Sequence, residues 1–475
     1  MEKKKILLIN PNFQNRIKSI AQTTLGPPLG LAYIASSLIK RGFNAEIIDA
    51  NAECLSQEKI LEAVLHKNPD VVGMGAVTPT INDVGEICRK IKQKAPRIMT
   101  VVGGIHATLL PERTLRENPE IDFVIRGEGE LSFPEFLAAK ESAYPGISGL
   151  AYRDARNSRI VINDYERIKN LDDLPFPRRD ILPLKSYHSF ESDRFTTIMA
   201  MRGCPAGCIY CSVGKMFGSV IRYRSEGSVI AEIEECCSRF NINYFAFLDD
   251  TFTFKREWVE GLCRRLISSR LNSRIGWNCL TRADMLSEDL LRLMKNAGCR
   301  RVEIGIESGS EEVLAYLKKN LNQEQIRRAF ALAKKVGLST MGFVILNTPA
   351  DNQDTYRQTK SLVFRADPDY LQVSFATPYP GTELYEDAKR RELIKHENWR
   401  DYIFLNRIIL KNEKISEAEA MTQYNDLTRS FYLRAGYAWK LCRLVIKKNI
   451  SIKRAFLSSI SGLKQFLKRN NDETK

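Results

Sequence analysis

The sequence predicts an α/β chain. A doubly wound parallel sheet comes first, a second run of alternating strands and helices follows, and a basic helical tail ends the chain. Three observations carry this. Short apolar runs alternate with helical patterns up to about residue 140. The same alternation returns between about Phe195 and Tyr379. Positive charge without compensating acid is confined to the end of the chain. At 475 residues the chain has room for two or three domains. Its 44% hydrophobic and 27% charged residues are ordinary for a globular protein. No stretch reaches the roughly 18 unbroken apolar residues that span a bilayer.

In the first block, residues 5–12, 45–51, 70–77, 99–108 and 122–130 read as buried parallel strands. Residues 30–41, 57–66 and 82–93 between them carry helical periodicity. Strands alternating with helices fold as a doubly wound, Rossmann-like sheet, whose ligand crevice lies beyond the strands' C-terminal ends. Those ends carry Asn12, Thr78, Gly103, Gly104, His106, Gly127 and Gly129. Glycine there lets backbone approach a large ligand. No Gly-x-Gly-x-x-Gly follows the first strand, which argues against a dinucleotide; a Rossmann-like domain with no ligand stays open as an alternative. Residues 146–190 read as a linker with some short strands, because "LPFPRRD" suits an extended connector. In the second block the expected strands are 196–201, 244–250, 274–280, 301–307, 340–346 and 370–377. The helices between them are 228–239, 256–268, 288–296, 323–336 and 352–365.

The run "RGCPAGCIYC" places Cys204, Cys208 and Cys211 at Cys-x3-Cys-x2-Cys spacing, directly after an apolar strand. Three thiolates on one tight loop can hold three irons of a cubane 4Fe–4S cluster. The fourth iron stays open for a small molecule. Zinc is the alternative, but it usually takes four ligands and commonly a Cys-x2-Cys spacing. A disulfide is not expected, since the chain opens on a buried-strand pattern rather than a signal peptide. The other eight of the eleven cysteines have no ligand spacing and read as small buried hydrophobes.

This spacing, with Tyr210 before the last cysteine, resembles the radical S-adenosylmethionine enzymes. The resemblance implies that the open iron chelates the amino and carboxylate groups of S-adenosylmethionine, and that the six strand–helix units form a partial (β/α)6 barrel. In the first block "GPPLGLAYIA", "GGIHAT" followed by "PE", and "GEGE" with Phe133 resemble the cobalamin-binding domain that precedes many such barrels. The group includes the anaerobic magnesium-protoporphyrin monomethyl ester cyclase and the class B radical methylases. It implies cobalamin contacts at the strand-end residues named above. The Asp-x-His-x-x-Gly motif that supplies histidine to cobalt is absent, so cobalamin without a protein ligand below the metal is expected, with His106 outside that motif. For S-adenosylmethionine the resemblance implies Asp249 or Asp250 against the ammonium, Arg282 against the carboxylate through its planar fork, and Glu307 and Ser308 at the ribose or methionine end. Glu307 could equally cap the following helix.

The expected organisation is a cobalamin-binding domain at 1–145, a linker at 146–190, a radical core at 191–400 and a basic helical tail at 401–475. The activity implied is methylation of an unactivated carbon in a lipid-like or tetrapyrrole-like small molecule. Oxidative cyclisation with the same cofactors, or a membrane-docked scaffold without catalysis, are the rivals. The implied partners are a small-molecule or lipid-like substrate and an electron donor such as flavodoxin or ferredoxin. Between Arg429 and Asn470 there are eleven Lys/Arg and no Asp/Glu, against a net charge of +15 for the whole chain. Phe431, Tyr432, Trp439, Leu444, Phe456 and Phe466 accompany them. Such a face suits an anionic membrane surface, or packs its apolar side on the barrel. The expected location is cytoplasmic, with peripheral contact at the inner face of the membrane. No RNA-binding module accompanies the charge, so nucleic acid is not an expected partner.

Overall fold

The computed structural model describes residues 4–13, 24–405, 407–434 and 436–437. Five strands build the first sheet in parallel: β1 (Lys5–Asn10), β2 (Asn44–Asp49), β3 (Val71–Gly75), β4 (Met99–Gly103) and β5 (Phe123–Ile125). Two more, β6 (Leu150–Arg153) and β7 (Ile160–Ile162), add antiparallel at one edge. The spatial order is β2-β1-β3-β4-β5-β6-β7. The order reverses between β1 and β3, and a ligand crevice belongs at such a switch point. Helices Leu29–Lys40 and Gly129–Ala138 cover one face through Ala35, Leu38, Phe133 and Phe136. Helices Gln57–Lys67 and Ile81–Lys94 cover the other through Ile60, Val64, Ile87 and Ile91. The stretch expected as a linker thus supplies β6 and β7, and the first sheet runs on to Ile162.

The second sheet contains β8 (Phe195–Ile198), then, after a short antiparallel pair β9 (Met201–Arg202) and β10 (Arg222–Tyr223), β11 (Tyr244–Phe247), β12 (Gly276–Thr281), β13 (Cys299–Glu307), β14 (Ser339–Leu346) and β15 (Tyr370–Phe375). The order β8-β11-β12-β13-β14-β15 is parallel throughout. Among the described residues β15 does not pair back to β8, so the architecture is an open six-stranded barrel. Its outer helices have sequence-coded starts. Asn322 and Asn352 form capping boxes with Gln325 and Thr355, each worth about 1 kcal/mol.

The C-terminal region corrects an expectation. Ser416 and Glu419 cap a helix, Glu417–Tyr432, which lies against β15. Tyr424 stacks on Phe375 at 5.1 Å. The Tyr432 hydroxyl donates to the Leu371 carbonyl (2.6 Å) and accepts from the Leu371 amide (3.0 Å). Phe431 is fully buried in the barrel core. Phe431 and Tyr432 therefore close a sheet edge and are not available to a bilayer; an amphipathic pattern alone cannot tell the two fates apart. Trp439, Leu444, Phe456 and Phe466 lie outside the described residues. Just before this helix the chain crosses back to the first sheet. Trp399 and Tyr402 pack into its core, and Arg400 pairs with Asp83 and Glu86, both at 3.2 Å. No helix among the described residues is long and apolar enough to cross a membrane.

Candidate active site

Strand β9 ends at Arg202 and delivers the cysteine loop to the barrel mouth. The loop is held by its backbone. The Cys204 amide donates to the Gly218 carbonyl (3.1 Å), Ile209 to Leu317 (3.2 Å) and Cys211 to Cys208 (3.1 Å). The Cys204 sulfur lies 3.7 Å from the Thr251 hydroxyl. All three thiols are half-buried. Burial pushes the Cys211 thiol up to about 12, and the nearby Cys208 and Cys204 add to this; burial raises Cys208 as well. Metal-free Cys208 and Cys211 are thiols, and a metal that binds them releases protons. Among the described residues no three His, Cys, Asp or Glu side chains converge as one metal ion would require. A cubane asks for less convergence, because each thiolate meets its own iron. The loop fits that demand.

The ends of β11 to β13 surround this loop. Asp249 Oδ1 accepts the amides of Ala200 (2.8 Å) and Met201 (2.6 Å), fixing the turn from β8 to β9. Its Oδ2 is buried without a hydrogen-bond partner. Burial raises its carboxyl to about 8, against the two amides, so it is protonated at neutral pH. Asp250 is raised by burial only to about 6 and is mostly ionised. Arg282 is already engaged. Its fork meets Asp284 in two 3.0 Å contacts, and Nη2 also donates to the Lys319 carbonyl at 3.0 Å. A register shift at the end of β13 puts Glu307 in the left-handed region at φ 58°, a conformation that costs about 1–3 kcal/mol and marks functional sites. There the carboxylate accepts from Tyr210 of the cysteine loop (3.1 Å) and from the buried Lys319 (2.8 Å). A methyl group at Gly305 would crowd Lys319 Nζ (2.7 Å) and collide with Glu307 Oε1, so glycine makes room for the pair. Ser308 faces the outer helix, with its hydroxyl 3.0 Å from that of Thr359.

Beyond the first sheet's C-terminal edge lies a cavity of about 430 Å³. Asn10 and Pro11 after β1, Gly75 to Val77 after β3, Gly103 and Gly104 after β4, and Gly127 to Glu130 after β5 line it. Met199, Arg202, Met216 and Phe217 of the second block complete the wall beside the cysteine loop. Gly104 takes φ 92°, and a Cβ there would stand 2.6 Å from the Ala76 carbonyl oxygen. A Cβ at Gly30 would meet nothing within 4 Å, and one at Gly75 would meet only Leu31, at 3.9 Å. Both positions open onto space that a large flat ligand can fill, so the cavity fits a corrin-sized group.

Three of the expected contacts fall outside this wall. His106 packs edge-on against Trp399, with ring centroids 5.2 Å apart, and its Nδ1 lies 3.3 Å from the Thr78 hydroxyl. Burial, with Arg113 adding to it, lowers its pKa to about 4. Neither His106 nor Thr78 lines the cavity. The Asn12 amide donates to the Leu55 carbonyl (3.1 Å) and is also outside the lining. Position at a strand end pointed to these three, but the side chains turn away. Reasoning from sequence missed Lys319, Tyr33 and Arg202. Only Arg202 carried a signal, two residues ahead of the first cysteine.

Comparison with known proteins agrees with this arrangement. Residues 21–137 match the B12 binding domain and residues 198–363 the radical SAM superfamily. An uncharacterized methyltransferase of Pyrococcus horikoshii is 36% identical over 442 residues, which cover 91% of this chain and 94% of that protein. The anaerobic magnesium-protoporphyrin IX monomethyl ester cyclase of Cereibacter sphaeroides is 26% identical, covering 98% of this chain and 75% of the cyclase. Among solved structures, the radical S-adenosylmethionine methyltransferase TsrM of Kitasatospora setae, with cobalamin and a [4Fe-4S] cluster bound, shares the fold. The TM-score is 0.70 at 19% identity, over 89% of this chain and 85% of that one. The chain belongs to the radical S-adenosylmethionine superfamily, in the group that carries a B12-binding domain.

Proposed function

We propose that this radical S-adenosylmethionine enzyme places a methyl group on an unactivated carbon of a lipid-like or tetrapyrrole-like small molecule. The observation that carries the reading is the shared wall. Residues beside the cysteine loop, Met199, Arg202, Met216 and Phe217, complete the cavity of the B12-binding domain, which supports a cluster site next to a corrin site. When bound, the cluster supplies the electron that splits S-adenosylmethionine into methionine and a 5′-deoxyadenosyl radical, and cobalamin supplies a transferable methyl group.

The chain's own residues divide the remaining work. Cys204, Cys208 and Cys211 would hold three irons. Of the two acids, Asp250 suits the methionine ammonium, since Asp249 is protonated and tied to backbone. Arg282, held by Asp284, presents a pre-oriented cation to the carboxylate. Glu307, set by Tyr210 and Lys319, has its second oxygen for the ribose. Gly30, Gly75, Gly103, Gly104, Gly127 and Gly129 admit the corrin. The aromatic and aliphatic walls around Phe217 and Met199 exclude water from a reactive carbon radical. A reduced flavodoxin or ferredoxin would supply electrons. Contact with an anionic membrane would rest on the cations beyond Tyr437.

The test is anaerobic reconstitution with iron, sulfide and cobalamin, followed by incubation with methyl-labelled S-adenosylmethionine and lipid or tetrapyrrole extracts. Label in a product, with 5′-deoxyadenosine released, is expected. Loss of two hydrogens from a product without label would assign it to oxidative cyclisation, which the cyclase relatives keep in view. Cleavage that survives Cys204→Ala, Cys208→Ala and Cys211→Ala singly would refute the cluster assignment.

A further inference from the structure

Arg202 sits at the junction of the two cofactor sites. It is the last residue of β9, two positions before Cys204, and it lines the cavity of the other domain. Its Nη1 donates to Glu128 Oε1 (3.0 Å) and its Nη2 to Glu130 Oε1 (2.5 Å). Its Nε meets the Met199 sulfur at 3.3 Å, and the rings of Tyr33 and Phe217 lie over it, each at 5.7 Å. Arg202, Glu128 and Glu130 are 5, 4 and 5% exposed. Glu128 is the hub. It also accepts two bonds from Arg222 of β10 (2.7 and 3.0 Å) and one from the Ile168 amide (2.6 Å). Burial alone would raise its carboxyl, but Arg222 and Arg202 reverse this and hold it below the ordinary range.

The two arginines flank the cysteine loop from β9 and β10. The two glutamates flank Gly129 at the end of β5. The cluster therefore joins the loop that carries the thiols to the strand end that lines the corrin cavity. Two charge-assisted bonds from one planar guanidinium fix direction as well as distance. At one end of the cluster Arg202 stands two residues from Cys204, and at the other Glu128 and Glu130 line the cavity.

We propose that Arg202 is a positioning residue that couples the two cofactor sites. Paired with Glu128 and Glu130, it sets the cysteine loop against the B12-binding cavity, so that occupancy of each site changes affinity at the other. This rests on the two-cofactor reading above. Coupling of this kind is reciprocal and typically amounts to about 5–150-fold.

The experiment uses the full chain in two forms, iron-free and anaerobically reconstituted, each titrated with hydroxocobalamin by absorbance. The wild type should bind cobalamin at least about fivefold more tightly with the cluster than without. Adding cobalamin should in turn shift the electron paramagnetic resonance signal of the reduced cluster. In Arg202→Lys, which keeps the charge and loses the fork, and in Glu130→Gln, which keeps the shape, the ratio should fall toward one while both cofactors still bind. A Glu130 that touches only the corrin predicts an equal loss of affinity in both forms with an unchanged ratio, and that result overturns the proposal. So does a wild-type ratio of one, which needs no variant to fold. A wild type that binds no cobalamin at all removes the two-cofactor reading, and the proposal with it.

Discussion

Replacing Gly75 with valine should raise stability and lower cobalamin affinity in the same molecule. Gly75 ends β3, opposite Gly103 of β4, in the middle of the first sheet. Its built Cβ meets only Leu31, at 3.9 Å, and otherwise enters the cavity. A glycine inside a strand costs roughly 0.5–1 kcal/mol relative to alanine, and a β-branched residue suits a strand better still. The cofactor-free protein should therefore gain about that much, which moves the melting midpoint of a domain this size by roughly 1–4 °C. The same two methyl groups occupy space the corrin needs. Overpacking of this kind costs about 1–3 kcal/mol, equivalent to an affinity weaker by about 5–150-fold. Circular dichroism melts of the cofactor-free chain and absorbance titration with cobalamin read the two effects separately. Unchanged affinity with raised stability would show that the corrin does not occupy the space in front of Gly75. Lowered stability would show that the strand end is not open as described.

Two other outcomes follow from the same geometry. His106 titrates near 4 when folded and near 6.5 when free, so below pH 6.5 the unfolded chain binds a proton that the folded chain refuses. Stability is then full above pH 6.5 and falls as the pH drops toward 4, by at most about 3 kcal/mol. Urea unfolding at pH 7.5 and pH 5 should show the loss, and His106→Phe should flatten it without changing the cobalt(II) resonance of bound cobalamin; nitrogen splitting that disappears in the variant would make His106 a ligand after all. For the tail, ending the chain after Tyr437 should abolish salt-sensitive flotation with anionic liposomes. Ending it before Arg429 should destabilise the barrel, since removing Phe431 alone is a loss of about 3–5 kcal/mol. Equal flotation of the full chain and the chain ending at Tyr437 would end the membrane argument.

What could be read from the sequence was what is local. Buried parallel strands are continuous apolar runs, so β1 to β5 and the six barrel strands stood out, and three cysteines within eight residues state their own spacing. The details hidden from the sequence depend on orientation or on distant partners. His106 occupies a strand-end position, but only the structure shows it turned onto Trp399, far along the chain. Asp249 and Asp250 are adjacent and chemically identical. Deeper burial, which outweighs the two backbone amides that Asp249 accepts, separates them, leaving one mostly protonated and the other mostly ionised. The left-handed turn at Glu307 depends on a register shift between β13 and β14, which no pattern within β13 encodes.

Several pairs beside the cavity are polar at deeply buried positions. Besides the Arg202 cluster, Glu232 is fully buried between Arg179 (2.6 Å) and Arg224, and Arg224 donates to the Tyr33 hydroxyl at 3.2 Å on the cavity wall. Desolvating such charges costs several kcal/mol per ion, and well-packed apolar groups of the same volume often hold a structure better. Stability alone is therefore a poor reason for these pairs. Apolar contacts are non-directional, whereas a guanidinium fork that shifts by an ångström leaves a buried carboxylate unpaired. The proposed methyl transfer needs the B12-binding cavity held open beside the cysteine loop. Directional pairs around the rim of that space hold a single register while leaving its centre open, and packing that filled the centre would have closed the cavity.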